Sequence, residues 1–178
     1  MYGTSKTIEL KENNNFQPGI NQNVTINVEF RSPRKDGTGD PVICIDILGK
    51  IGDKFTVTEW QQADEDKIEN QLKRLSRWVK EVTGENTLGN QFASYEDLAK
   101  QFADKVNGKG TLLEFKLVYN DKGYLEMPKY DGCVRSMSNP TRLVLSGSEK
   151  NKLVKETPIP TEDAMFAAST DASDDLPF

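Results

Sequence analysis

The sequence predicts a mainly β domain with a helical insert, followed by an acidic tail. Several short segments show the alternating or continuous apolar pattern that is typical of β-strands. Between the third and fourth of these segments, the apolar spacing changes to that of two helices. Large apolar residues become sparse from residue 146 onward. We therefore expect residues 1–145 to form the folded domain and residues 146–178 to form a flexible, disordered tail.

Three strands are predicted before the helices. Residues 24–31 alternate apolar and polar side chains, which is the period of a half-buried strand. Residues 42–50 are nearly continuously apolar, as in a central strand, and they follow a loop rich in proline and glycine. Residues 54–60 place two apolar side chains on one face. The opposite face of this third strand is therefore polar and includes Trp60.

Two amphipathic helices are predicted next. From Asp64, a residue type favoured at helix N-caps, apolar residues recur at spacings of three and four until Gly84 provides a stop. A second helix begins at Ser94, where Asp97 completes a capping-box-like pair, and it ends near Asn107. The stripe on the first helix is too short for a convincing coiled coil, so we expect it to pack on the sheet. Its alternative, a dimer seam, leaves a homo-oligomer open.

The order of the elements indicates a particular kind of barrel. Strand-like sequence returns at residues 111–119, turns at residues 120–123 and continues toward a last strand around residues 142–145. A five-stranded OB-fold barrel has this order, with a helical region between its third and fourth strands. Here that region spans about residues 62–107 and holds two helices. The alternatives are an α+β sheet packed on two helices, or another small barrel.

The composition argues against several kinds of site. The chain has no histidine, which removes the usual general base of serine and cysteine hydrolases and zinc sites built from Cys and His. Two cysteines are too few for a disulfide framework. The sequence shows neither a signal peptide nor an apolar stretch long enough to span a membrane. We therefore expect a cytoplasmic protein without cofactor, bound metal or membrane contact.

Charge is distributed unevenly along the chain. Residues 161–178 hold five acids and no Lys or Arg, which leaves 23 acids and 23 bases in residues 1–160. The body is therefore neutral overall and can still present a basic face to a polyanion. The chain finishes with DDLPF, in which acids precede an apolar residue, a proline and an aromatic ring.

This tip resembles the C-terminal tip of bacterial and phage single-stranded-DNA-binding proteins (SSBs), where acids precede a final Pro-Phe. Because the helical insert is larger than in the compact bacterial proteins, the phage-encoded type, active in the host cytoplasm, is the closer likeness. The resemblance implies a non-enzymatic protein that binds single-stranded DNA without strong sequence preference. It would protect that DNA during replication, recombination or repair, and its tip would recruit replication or repair proteins.

The physics of the tip fits this role. An aromatic ring beside a carboxylate suits a shallow apolar pocket rimmed by Lys or Arg, and Pro177 limits the conformations lost on docking. The partner-binding residues are expected to be Asp171, Asp174, Asp175, Leu176, Pro177 and Phe178. The alternative is a solubilising tail that binds nothing.

In an OB barrel, the nucleic acid crosses the second and third strands between two loops. Cations there can track the phosphates while flat rings stack on bases. The expected DNA-binding residues are Arg31, Arg34, Lys35, Lys50, Lys54, Trp60, Lys122, Tyr124, Lys129, Tyr130 and Arg135. In the alternative, Trp60 packs under the following helix, Tyr124 and Tyr130 are loop anchors, and Lys50 and Lys54 are merely solvated.

Two rival functions remain open. An interaction protein would use the acidic tail to recruit or inhibit a replication factor without touching DNA. A metal-dependent nuclease would use an acid-x-Lys element such as Glu114 and Lys116, together with Asp46 or Asp104 as ligands of Mg²⁺.

Overall fold

A computed structural model describes residues 16–130 and 132–155 of the chain. The elements follow the order β1 (Gly19–Arg31), β2 (Val42–Leu48), β3 (Lys54–Glu59), α1 (Glu65–Thr83), α2 (Tyr95–Val106), β4 (Leu113–Tyr119), β5 (Leu125–Glu126), β6 (Val134–Ser136) and α3 (Gly147–Asn151). The predicted mainly β class is confirmed, as are the two helices between the third and fourth strands. Among the described residues, no helix is both long and apolar enough to cross a membrane.

The strands form a curled antiparallel half-barrel. The order across the sheet is β3-β2-β1-β4-β5, and β6 also pairs with β4. The long strand β1 serves both halves, since residues 19–24 pair with β4 and residues 25–31 pair with β2. A register shift lies between Asn21 and Val24, where Asn23 has a φ of 61°. Asparagine tolerates this left-handed conformation, and such a bulge bends a strand, which lets β1 turn from one neighbour to the other.

The core lies on the concave side of the sheet under the two long helices. Alternate residues of the central strands are buried there, for example Ile43, Ile45 and Ile47 of β2. The helix α2 is tied to β1 by Asn107, whose side-chain amide donates to the carbonyl of Val28 at 2.9 Å and accepts from its N–H at 2.7 Å. This amide reproduces a strand-like pairing, so the helical insert is fixed to the sheet.

The predicted helix boundaries are confirmed, with one difference in capping. The Asp64 side chain accepts from the N–H of Lys67, and Gly84 ends α1 with a φ of 89°. The Ser94 side chain caps α2 by accepting from the N–H of Asp97. The Asp97 carboxylate, however, accepts from the N–H of Ala93 at 3.0 Å, one residue before the expected partner. The backbone N–H groups of Asp97 and Ala93 at the N-terminus of α2 are therefore both paired with side chains.

The apolar stripe of α1 is used within the chain. Leu75, Val79 and Val82 are buried in the core, while Ile68 in the first turn is 38% exposed. The prediction that this stripe packs on the sheet is therefore confirmed for its C-terminal part.

The predicted strand at residues 142–145 does not form. The last strand among the described residues is β6, and the backbone of the predicted segment bonds to side chains of β4 instead of to a strand. The N–H of Arg142 donates to the Glu114 carboxylate at 3.2 Å, and the carbonyl of Val144 accepts from the Lys116 ammonium at 2.7 Å. Charged side chains on β4 thus take the place of backbone partners, which the apolar pattern of residues 142–145 did not predict.

The packed chain continues past residue 145. Ser146 and Glu149 form a capping box at the start of α3, and Glu149 is buried. The N–H of Tyr119 at the end of β4 donates to the carbonyl of Lys152 at 2.9 Å. Residues 138–153 therefore cover the convex face of β4, whose residues from Leu113 to Val118 are all buried. Residues 146–155 contribute to the folded domain although they contain few large apolar side chains.

Candidate nucleic-acid interface

A groove runs along the outer edge of the half-barrel, between β3 and the segment 125–129. In the described part of the chain, β3 pairs with β2 and with no other strand, so its second edge faces this groove. The groove has a volume of about 290 Å³. A neighbouring groove of about 360 Å³ shares Phe55 and Leu125 with it. Together they form a trough that is open to solvent.

Three of the predicted DNA-binding residues line this trough. Trp60 and Lys129 face the first groove from opposite sides, and Lys54 lines the second. The structure thus brings together residues that are up to 75 positions apart in the sequence. A ring and two cations along one concave strip are the elements that a single strand requires.

Trp60 directly follows β3, and its side chain is 53% exposed. Its main chain is fixed, because its carbonyl accepts from the side-chain amides of Gln62 and Gln71, each at 2.8 Å. Gln71 lies on α1, so the helix holds the backbone of Trp60 while half of the residue stays open. An accessible indole on a backbone that is already held can stack on a base.

A buried carboxylate joins Lys54 to a further predicted cation, Arg31, on the convex face of the sheet. Asp46 of β2 lies 2.9 Å from the Arg31 guanidinium, 3.4 Å from the Lys54 ammonium and 2.6 Å from the hydroxyl of Thr56. Burial acts to raise the pKa of Asp46, but the hydrogen bonds from Arg31 and Thr56 and the two positive charges outweigh it. The pKa of Asp46 is therefore lowered.

The contacts in this cluster fix the positions of its side chains, but the cluster has no net positive charge. Arg31 also pairs with Glu29 at 3.0 Å. The two cations of the cluster, Arg31 and Lys54, are therefore matched by two carboxylates, Asp46 and Glu29. The hydrogen bond with Asp46 raises the pKa of Arg31 against the effect of burial, and the guanidinium remains charged. The cluster therefore holds Arg31 and Lys54 in defined positions without adding net charge, and of these two Lys54 lines the trough.

A second buried acid, not predicted from the sequence, lies at the end of β3. Glu59 is 7% exposed and accepts two hydrogen bonds from the Arg74 guanidinium, at 2.9 and 2.8 Å, and one from Gln71 at 3.1 Å. Arg74 lines the groove beside Trp60. The alternation of β3 places Glu59 on the same face as Phe55 and Val57, and a buried acid requires a charged partner. The sequence therefore predicts that Glu59 has a cationic partner, but it does not identify Arg74 as that partner.

The remaining cations of the predicted set lie on loops outside the trough. They are Arg34 and Lys35 between β1 and β2, Lys50 between β2 and β3, and Lys122 in the turn between β4 and β5. All four are exposed. Tyr124 follows that last turn and is 69% exposed. Asn120 shapes the turn by accepting from the N–H groups of Lys122 and Tyr124, both at 3.0 Å.

Tyr130 and Arg135 have structural partners on the other side of β4. The Tyr130 hydroxyl donates to Glu149 and accepts from the Lys116 ammonium, which lies 4.9 Å from the ring centroid. Burial and the adjacent Glu149 carboxylate raise the pKa of this tyrosine. Arg135 lies 3.7 Å from Glu81 of α1. Tyr130 therefore anchors its loop, as in the alternative considered from the sequence, although 44% of it remains exposed.

The acid-x-Lys element of β4 is occupied by structural contacts. Glu114 is fully buried and accepts from the side-chain amide of Gln22 at 2.8 Å as well as from Arg142. The Lys116 ammonium is bonded to Tyr130, Val144 and Glu149. Within the ranges that the structure describes, no group of three or more His, Cys, Asp or Glu side chains could hold a metal ion.

The predicted partner-binding residues Asp171, Asp174, Asp175, Leu176, Pro177 and Phe178 lie outside the described residues. Comparisons of the chain with protein-family models, with curated proteins and with solved structures gave no match.

Proposed function

We propose that this protein binds single-stranded DNA along the trough between β3 and residues 125–129. Trp60 is the observation that supports the proposal most directly, since it is a half-exposed ring on a held backbone and lines the same groove as the cation of Lys129. The base of one nucleotide would stack on the indole, while Lys129 and Lys54 would contact the phosphates on either side. The protein would act without catalysis, by covering DNA during replication, recombination or repair.

The exposed loop cations would extend the binding surface. Arg34 and Lys35 lie between β1 and β2, Lys50 lies between β2 and β3, and Lys122 lies between β4 and β5. They would attract the phosphate backbone without reading sequence, which makes the affinity sensitive to salt. A sheet in which β1 pairs with both β2 and β4, with a helical region between β3 and β4, supports an OB-type barrel as the specific fold.

The acidic tip would recruit partner proteins. Asp174 and Asp175 would pair with basic side chains of a replication or repair protein, and Phe178 would enter an apolar pocket on it. The described chain ends beside the turn between β4 and β5, where Lys155 lies against Gly123. The tip is therefore tethered to the domain near one end of the trough, from which it can reach a partner that acts on the bound strand.

The two tryptophans allow a direct test of DNA binding. Trp60 is exposed, whereas Trp78 of α1 is 2% exposed and lies in the core. Oligo-dT should quench the emission of Trp60 as a base stacks on it, and the emission of Trp78 should persist as an internal reference. Loss of one base stack is worth about 1–3 kcal/mol, so Trp60→Ala should weaken oligo-dT binding roughly 5-fold to 150-fold.

Two matched variants separate stacking from charge. Lys129→Gln should weaken binding at low salt and reduce the slope of log affinity against log salt by about one. Val144→Ala changes a side chain that is 74% exposed and lines neither groove of the trough, and it should leave the affinity unchanged. Binding that is equally tight in Trp60→Ala, with no quenching in the parent protein, would place the DNA elsewhere.

The interaction protein that does not touch DNA is supported by the charge balance of the first groove. Among the residues that line it, Arg74 and Lys129 are offset by Glu59 and Glu126. Failure of the folded protein to bind oligo-dT at low salt, with retention of partner binding through the tip, would favour this second function.

A further inference from the structure

A second groove lies on the helical insert, between α1 and the loop at residues 86–90, and has a volume of about 470 Å³. Its apolar lining residues are Leu72, which is half-buried, and Leu88, which is buried. Three cations on α1 border it at spacings of four and three residues, namely Lys73, Arg77 and Lys80. One acid, Glu69, lies among them. The residues that line this groove therefore carry a surplus of positive charge, unlike those of the groove at β3.

The two lysines among these cations keep their charge accessible. Lys73 lies 2.6 Å from Glu69, but both side chains are more than 60% exposed, and exposed pairs contribute little. Arg77 lies 3.6 Å from Glu81, which it shares with Arg135 and Arg142. Lys80 is exposed in the last turn of α1. An anionic ligand that also has apolar groups would match a groove lined by cations and by leucine side chains.

We propose that residues 174–178 of the same chain, DDLPF, dock in this groove. Asp174 and Asp175 would pair with the cations of α1, and Leu176 and Phe178 would cover Leu72 and Leu88. Residues 161–178 contain five acids and no base, so the approach of the segment is favoured electrostatically as well. Nucleic acid fits less well, because no aromatic side chain that could stack a base is among the described residues lining the groove.

The connecting chain is long enough. Eighteen residues, 156–173, separate Lys155 from Asp174, and an extended chain of that length spans roughly 60 Å. A domain of this size has a radius of gyration of about 14 Å. Such a tether gives an effective concentration on the order of 1 mM, so a docking Kd of that order leaves about half of the molecules docked.

Docking in this groove would hold the tip at a site separate from the trough. The tip would rest on the helical insert while the β3 groove stays open, and high salt or a competing partner would release it. The inference does not depend on whether the trough binds DNA.

Paramagnetic relaxation enhancement in the full chain tests this docking. A nitroxide is attached at Ser173→Cys, a reaction that the two buried native cysteines do not compete with. The expected result is selective broadening of amide signals from residues 72–80 and 86–90, which disappears in high salt and on deletion of Phe178. The double variant Lys73→Glu/Lys80→Glu should abolish it, whereas Lys100→Glu/Lys109→Glu, with the same charge change at two exposed lysines elsewhere, should retain it.

Three outcomes would overturn the proposal. The first is the absence of broadening at the groove, and the second is broadening at residues 55–60 and 125–129 instead. The third is equal broadening in a mixture of isotope-labelled chains and separate spin-labelled chains, because the occupant would then be a second copy. None of these bears on oligo-dT quenching of Trp60, so the two proposals fail independently.

Discussion

The ion pair between Lys116 and Glu149 should make a large contribution to stability. Both side chains are less than 10% exposed, and the ammonium lies 3.1 Å from the carboxylate. In Glu149→Gln, the acceptor of the capping box is kept, but the buried ammonium loses its counter-charge. Breaking a buried pair from one side costs about 3–5 kcal/mol. Because Lys116 retains the Val144 carbonyl and the Tyr130 hydroxyl, we expect the low end, about 3 kcal/mol.

Thermal and chemical unfolding measure this loss. A change of about 3 kcal/mol corresponds to a fall of roughly 6–12 °C in Tm for a chain of this size. Residues 146–153 can also detach without global unfolding. Hydrogen exchange at the amide of Tyr119, which donates to the carbonyl of Lys152, reports that local opening. Its protection should then fall by about two orders of magnitude.

A matched control distinguishes burial from distance. The exposed pair of Glu69 and Lys73 is shorter, at 2.6 Å, yet Glu69→Gln should leave the unfolding transition nearly unchanged because solvent screens the pair. The double variant Lys116→Met/Glu149→Gln should recover most of the lost stability, since it removes the unpaired buried charge and keeps an acceptor for the capping box. The argument from burial is refuted if Glu149→Gln leaves both the unfolding transition and the exchange of Tyr119 unchanged.

Two further predictions concern acid pH and a helix cap. Burial acts to raise the pKa of Glu149, but the hydrogen bonds from Tyr130 and Ser146 and the charge of Lys116 outweigh it, so this pKa is lowered. The pKa of Asp46 is lowered in the same way, because Arg31 and Thr56 outweigh its burial. The stability from both carboxyls is therefore present above their unfolded pKa values, at about pH 4, and is lost as the pH falls further, so denaturant titrations should show a steeper acid loss in the parent than in Glu149→Gln. Gly84→Ala should destabilise by about 1 kcal/mol in thermal unfolding, because an L side chain is strained at a φ of 89° although nothing lies within 4 Å of the new methyl group. Gly147→Ala, which lies at the start of α3 without a positive φ, should hold or raise stability and serves as its control.

Local patterns predicted the parts of the fold that local interactions determine. Alternation found the strands β1 and β3, and the cap residues Asp64 and Ser94 fixed the helix starts. The polar face of β4 illustrates the limit of this approach. Glu114 and Lys116 look like solvated side chains, but residues 138–153 cover them, and their partners lie 28 and 33 positions away. The periodicity of apolar residues along the sequence does not reveal which distant charged groups pair with one another.

The same limit applies to the candidate site. Trp60 was identifiable because it continues the exposed phase of β3, and Lys129 because cations in that loop suit a polyanion. Arg74 was not identifiable, since its place beside Trp60 depends on how α1 crosses the end of the sheet. Its bidentate bond to Glu59 also fixes the charge balance of the groove, which the sequence could not specify.

The covering of the sheet explains why the trough lies at β3. Helices α1 and α2 pack over the concave face, and residues 138–153 cover the convex face of β4. The edge of β3 has neither cover in the described part of the chain, so backbone groups, Trp60 and two lysines remain within reach of a ligand. An uncovered strand edge invites pairing with other chains unless it is guarded. Here Lys54, Trp60 and residues 125–129 line the grooves along this edge, and under the proposed function a single nucleic-acid strand would occupy it in place of another sheet.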